Sequence, residues 1–253
     1  MFLPRILKIF LFLQVLCLCL PAFAYAGKTI SLASIDWPPY TGRNLEGEGE
    51  SAKLVRAAFA AMGYELKIVF VPWKRAMRMA EKGRQVAGYF PEYYSPGRAE
   101  KFIFSKSFNC SPVSLVTRRD NMLKWDGVDS LAGHRIGFVS GYVNTPALDV
   151  AVANGTILAD YASYDESNVL KVAAGRVEGA VIDPYVFRYL AEMSPAVSAV
   201  KEELVVSGTN FGVNELYIAF SRDSIGRRCA DIFNKGLMIV RGKSGRVPCE
   251  KNK

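Results

Sequence analysis

Strand-like and helix-like segments alternate twice along this chain, and that rhythm limits its fold more than any other feature. Residues 28–35 read as a strand, 51–62 as an amphipathic helix and 64–71 as a second strand. Residues 72–82 read as a second helix with Pro72 at the favoured first position, and 85–90 as a short third strand. The series then returns. Residues 135–139, 157–161 and 179–182 read as strands, with helices over 142–153 and 166–174 between them. Two βαβαβ series argue for parallel sheets covered by helices, which is the α/β class.

The segments outside the two series are equally informative. Residues 111–119 read as an extended connector between the halves, and 203–207 as another after the second half. Residues 215–220 then read as a strand and 221–240 as a long helix with Ser221 as its N-cap. Two connectors around one half predict two lobes joined by two hinge strands. A ligand then sits between the lobes, where loops at the carboxyl ends of the strands converge.

The first 26 residues read as a signal peptide. Arg5 and Lys8 form a basic start, residues 9–20 are almost wholly apolar, and Ala22, Ala24 and Ala26 offer a cut after Ala24 or Ala26. The apolar run is marginal for spanning a bilayer. The expected product is a soluble protein exported to a bacterial periplasm. Its predicted lobes are residues 27–112 with 208–253, and residues 113–207. Removing Arg5 and Lys8, with no acid lost, takes the formal net charge from +8 to +6. That charge is dispersed, with no basic tail, and predicts no nucleic-acid partner. Cys110, Cys229 and Cys249 remain after cleavage, so at most one internal bridge forms. Cys229 with Cys249 is the candidate, because that bond ties a C-terminal tail to the last helix. No metal-ligand cluster, nucleophile elbow or phosphate loop is present, so no cofactor and no catalytic residue are predicted.

One stretch carries chemistry. Residues 87–108 (AGYFPEYYSPGRAEKFIFSKSF) run from a short strand through a Ser-Pro-Gly turn to Arg98. A guanidinium just past a strand end is placed to fork onto a carboxylate. As a residue alone, Arg98 is equally well a solvated helix-start arginine.

Five segments then stand in order: residues 34–42 (SIDWPPYTG), 71–88 (VPWKRAMRMAEKGRQVAG), the Arg98 segment with Phe104 and Ser105, 131–141 (LAGHRIGFVSG) and 174–183 (AGRVEGAVID). The ordered set resembles the extracellular solute-binding proteins of family 3, the periplasmic receptors of polar-amino-acid ABC importers. The resemblance covers nearly the whole mature chain. It implies a two-lobe type II periplasmic-binding-protein fold with a double-strand hinge that closes around a small ligand. It places Trp37 and Trp73 at the family's two pocket aromatics, with packing roles as the alternative for each. It matches Arg98 to the arginine that grips a ligand α-carboxylate. Asp183 matches the acid that takes the α-ammonium from the opposite lobe, and an Asp before Pro184 is also a plain helix N-cap.

The chain departs from that pattern where the ligand should sit. Tyr93 replaces a small hydroxyl residue five positions before Arg98, and the bulky Tyr142 follows Gly141 where the family carries a small hydroxyl residue. Tyr93 and Tyr142 therefore join the ligand-site candidates, and an aromatic or modified amino acid, or another small carboxylate, fits as well as a plain one. The expected role is a monomeric receptor delivering such a ligand to an ABC permease. Two alternatives are a partner of a membrane sensor and an enzyme on the same fold, such as a cyclohexadienyl dehydratase. For the enzyme, Glu92 is the one extra carboxylate near Arg98.

Overall fold

The computed structural model describes residues 28–123, 125–207 and 211–242. The signal-peptide reading and the Cys249 end of the Cys229–Cys249 pair lie outside these residues.

The first half is β1 (Lys28–Ser34), α1 (Glu50–Ala60), β2 (Tyr64–Phe70), α2 (Trp73–Lys82) and β3 (Gly88–Tyr93). β1 pairs in parallel with β2 along its whole length and with β3 at its carboxyl end. The last three residues of β1 are buried, as expected of a parallel strand covered on both faces. α3 (Pro96–Lys101), β4 (Phe102–Phe104) and β5 (Asn109–Arg118) lead to the second half. That half is β6 (Arg135–Val139), α4 (Pro146–Ala153), β7 (Leu158–Ala162), α5 (Asp165–Ala173) and β8 (Gly179–Ile182), followed by α6 (Pro184–Met193) and α7 (Pro195–Ser198). β6 pairs in parallel with both β7 and β8. The chain returns through β9 (Leu204–Val206), β10 (Gly212–Ser221) and α8 (Ser224–Arg241).

The strands follow the order β2-β1-β3-β10-β5-β8-β6-β7. β5 and β10 make the hinge. β5 pairs antiparallel with β10 over residues 109–113, then with β8 over 114–117. β10 pairs with β5 over 212–216 and with β3 over 216–220. β10 is thus tied to the first half through β3, β5 is tied to the second half through β8, and the two strands pair with each other in between.

Several elements differ from the sequence reading for local reasons. The second hinge strand is β10, not residues 203–207, which form β9 against the outer end of β5. Pro72 is the N-cap of α2, not its first residue, because its ψ of 141° is extended. The helix expected from Tyr142 starts at Pro146, where Thr145 Oγ1 accepts from Leu148 N at 3.4 Å. Tyr142 is therefore on a loop. α8 is capped by Asp223, which accepts from Gly226 N at 2.7 Å, while Ser221 ends β10. Among the described residues no helix is long and apolar enough to cross a membrane.

The first-half core is closed by α1 against α8. Phe59 meets Phe233 at 5.5 Å between ring centroids, and Phe233 meets Phe108 at 6.0 Å. The helices approach closely because Gly236 has no side chain. A Cβ there would lie 1.9 Å from the carbonyl oxygen of Ala58. Gly236→Ala is expected to force the helices apart and to cost about 1–3 kcal/mol, the range for overpacked cores. Urea denaturation of the variant beside the parent protein measures it.

Candidate functional site

The carboxyl ends of the parallel strands meet at the hinge, and the polar and aromatic residues cluster there. β1 leads to Trp37 and Tyr40, β3 ends in Glu92 and Tyr93, and α2 begins at Trp73. From the second half, β6 leads to Gly141 and Tyr142, β7 to Asp165 and β8 to Asp183. Ser111 comes from hinge strand β5.

Five aromatic rings form the walls. Trp37 stacks on Tyr40 with centroids 4.5 Å apart and a 21° angle between planes. It meets Tyr93 at 6.3 Å and Tyr142 at 6.4 Å edge to face. Trp73 meets Tyr142 at 5.8 Å, also edge to face. Such geometries suit the ring quadrupoles, and the same faces attract cations. Tyr142 is thus wedged between both tryptophans, from the opposite half.

One side of this wall holds a buried ion pair. Arg98 Nε lies 3.1 Å from Glu92 Oε2, and the Glu92 side chain is only 2% exposed. Tyr89 OH donates to Glu92 Oε2 at 2.6 Å, and Tyr93 N donates to Oε1 at 2.9 Å. Burial pushes the Glu92 carboxyl up to about 7, while Arg98 and these donors pull against it. Arg98 Nη2 also donates to Gly141 O at 2.7 Å, and Trp73 Nε1 donates to the same carbonyl at 3.2 Å. Gly141 has φ +88°, and a Cβ there would meet Met77 and Lys74 at 3.2 and 3.3 Å. Only glycine readily turns this carbonyl toward the opposite half.

The other side holds two carboxylates. Asp183 is 5% exposed and accepts four hydrogen bonds. Oδ1 caps α6 through Tyr185 N at 2.6 Å and Val186 N at 3.3 Å. Oδ2 accepts from Tyr40 OH at 2.7 Å and from Ser111 Oγ. Ser111 Oγ in turn meets Tyr93 OH at 2.5 Å. Burial raises the Asp183 carboxyl, and the four donors lower it. Asp165 opens α5 and faces the same cavity, with Tyr142 OH 3.5 Å from its Oδ2. Burial first, and then the Asp183 charge, push it up to about 7.

That shift has a consequence for stability. An Asp raised from 3.8 to about 7 costs folding free energy when it ionises. The cost is absent below pH about 4, grows between pH 4 and 7, and is constant above. Asp165→Asn is therefore expected to stabilise the free protein by about 1–3 kcal/mol at pH 8 and to change little at pH 4. Denaturant titrations at the two pH values measure it.

The cavities on the two sides of the aromatic wall each measure about 20 Å³. That is room for about one water, so a larger molecule enters only if the rings move. Tyr142, like Trp37 and Tyr40, stands outside the helices and strands.

All six sequence-derived candidates, Trp37, Trp73, Tyr93, Arg98, Tyr142 and Asp183, converge on this region. The guanidinium of Arg98 is shared between Glu92 and Gly141. Sequence reasoning missed Tyr40, Ser111 and Asp165. Tyr40 sits within the quoted residues 34–42, and two positions past Pro38 its ring stacks back on Trp37. Asp165 carries the ordinary signature of an acid in a helix's first turn. His134, read as a surface residue, pairs with Glu178 away from the cleft.

The model of the bacterial extracellular solute-binding proteins, family 3, matches residues 31–240. No curated protein matches the chain in sequence. Among solved structures, a histidine kinase sensor domain with similarity to periplasmic binding proteins is 19% identical with a TM-score of 0.73, over 87% of this chain and 92% of that one. The GluR0 ligand-binding core from Nostoc punctiforme, in complex with L-glutamate, is 17% identical with a TM-score of 0.67, over 85% and 94%. AbpA, an amino acid ABC transporter substrate-binding protein from Streptococcus pneumoniae bound to L-arginine, is 15% identical with a TM-score of 0.67, over 86% and 90%. At these identities the likeness establishes the fold.

Proposed function

The chain belongs to the bacterial extracellular solute-binding proteins of family 3, and on that premise we propose that it is a monomeric periplasmic receptor. It captures one small ligand between its lobes and presents it to an ABC permease. The lobes of this reading are residues 27–112 with 208–253, and residues 113–207, and they move about β5 and β10. The carrying observation is that residues from both halves meet across one aromatic cleft. Arg98 reaches Gly141, and Tyr40 reaches Asp183. A ligand seated among Trp37, Trp73, Tyr93, Arg98, Tyr142 and Asp183 contacts both lobes only when they close. That supplies the differential affinity a closure mechanism needs.

A thermal-shift screen against amino acids, small carboxylates and amines tests the reading. A true ligand raises Tm by mass action. It is then recovered unchanged after incubation.

One observation favours a second reading, an enzyme on this fold. Glu92 is buried beside Tyr89 and Arg98 with its carboxyl near neutrality, which suits a general acid or base. Conversion of the bound compound, lost in Glu92→Gln, is the outcome that selects it. A membrane-sensor partner in place of a permease leaves ligand binding unchanged.

A further inference from the structure

We infer that Asp165 is a ligand-binding residue, and that with Asp183 and the faces of Trp37 and Tyr142 it selects an organic cation, a protonated amine, whether or not the ligand carries a carboxylate. The inference rests on the receptor reading above and names its ligand class.

The charges around the cleft are unevenly matched. Glu92 has Arg98 at 3.1 Å, so the one guanidinium at the site already has an internal counter-ion. Asp165 and Asp183 face one cavity, and its lining holds no Lys, Arg or His. Asp183 accepts four hydrogen bonds from the protein, whereas the Asp165 side chain has the 3.5 Å contact to Tyr142 OH and the nearby Trp37 indole. The two carboxylates repel, and Asp165 carries the larger burden. A cation between them removes that repulsion and lets Asp165 ionise.

The walls suit the same class. Trp37 and Tyr142 line the cavity beside the acids, so a cationic nitrogen entering it lies among aromatic rings and carboxylates. A second, independent observation marks the spot. Trp37 is 7% exposed, and its indole Nε1 is buried without a partner in hydrogen-bond geometry. It lies near enough to Asp165 to favour the ionised carboxylate, the form that attracts a cation. A seated ligand that draws Asp165 toward it, or that brings its own acceptor, completes the indole.

A carboxylate on the ligand is not required by this arrangement. Binding one at Arg98 means displacing Glu92 or sharing the fork with it, and Glu92 is too buried to find water as a substitute.

Matched pairs that differ only by a carboxyl group test the inference: L-lysine with cadaverine, L-arginine with agmatine, and L-tyrosine with tyramine. Calorimetric titration is run on the parent protein, Asp165→Asn and Asp165→Glu. The expected result is that at least one amine binds as tightly as its amino acid or more tightly. Asp165→Asn then weakens it at least tenfold, and Asp165→Glu restores part of the loss. Two results overturn the inference while leaving the receptor reading intact. One is an amino acid binding at least tenfold more tightly than its amine, and the other is binding only of carboxylates such as succinate or benzoate. Binding that is indifferent to Asp165→Asn overturns the role of Asp165. If no compound of any class binds, both readings fall together.

Discussion

Arg98→Ala is expected to destabilise the ligand-free protein by about 2–4 kcal/mol at pH 8, of which leaving the Glu92 carboxyl without its counter-ion supplies about 1–2 kcal/mol, because that carboxyl can take up a proton, and the lost hydrogen bond to Gly141 O and lost packing supply the rest. Glu92 is 2% exposed, so bulk solvent does not stand ready to replace the guanidinium. Its carboxyl stands near 7 even with Arg98 beside it, so removing Arg98 raises it further. The sign of the pH dependence follows. A carboxyl held above its unfolded value penalises folding only where the unfolded chain is ionised. The loss should therefore be large at pH 8 and smaller at pH 5, where Glu92 is protonated. The hydrogen bond from Nη2 to Gly141 O is lost at either pH. Arg98→Leu combined with Glu92→Gln should recover most of the stability, because no buried charge is then left alone. An arginine held in reserve for a ligand carboxylate behaves differently: its removal leaves the free protein almost unchanged and affects binding only. Denaturant titrations of the single and double variants at both pH values separate the two roles.

Asp183 carries the second large effect, and two substitutions divide it. Asp183→Ala removes the cap of α6 and the acceptor for Tyr40 and Ser111. Losing a cap costs about 1 kcal/mol, and stranding buried hydroxyls costs about 1–3 kcal/mol, so a total of about 2–4 kcal/mol is expected. Asp183→Asn retains an oxygen for the cap and should cost less. It removes the negative charge, however, and ligand affinity should fall about 100-fold, within the range for one member of a buried charge pair. Unfolding titrations read the first effect, and calorimetry with a cationic ligand reads the second.

Much of this organisation is legible in the sequence. The two βαβαβ series are punctuated by glycine and proline at the element ends, and periodicity identifies them directly. Trp37, Trp73, Arg98 and Asp183 lie at strand ends or helix starts, where a family pattern places ligand contacts. What escaped depends on distant partners. The second crossing was read at residues 203–207, the extended segment that follows the second half, but strand pairing decides it. The ten residues of β10 are long enough to pair with β3 and β5 in turn. Tyr142 was read as helical, although Thr145 and Pro146 mark the true helix start and leave it on a loop. Asp165 looks like any acid at a helix N-terminus. Only the hinge geometry sets it beside Asp183, where desolvation raises both carboxyls.

The arrangement explains how an aromatic-rich cleft can suit a solute receptor. Trp37, Trp73, Tyr93 and Tyr142 give one adaptable apolar wall that draws on both lobes. The internal pair of Glu92 with Arg98 neutralises one side of it, and the two aspartates set the sign of the other. On the proposed function, closure then depends on a ligand that satisfies the aspartates and displaces a ring.

Native mass spectrometry of the protein purified from cells that export it tests the central claim most directly. One small molecule per chain is expected, recovered with unchanged mass after incubation and carrying a basic nitrogen. A molecule that is converted on incubation, or a chain that binds none of the amines, amino acids and carboxylates offered to it, contradicts the account.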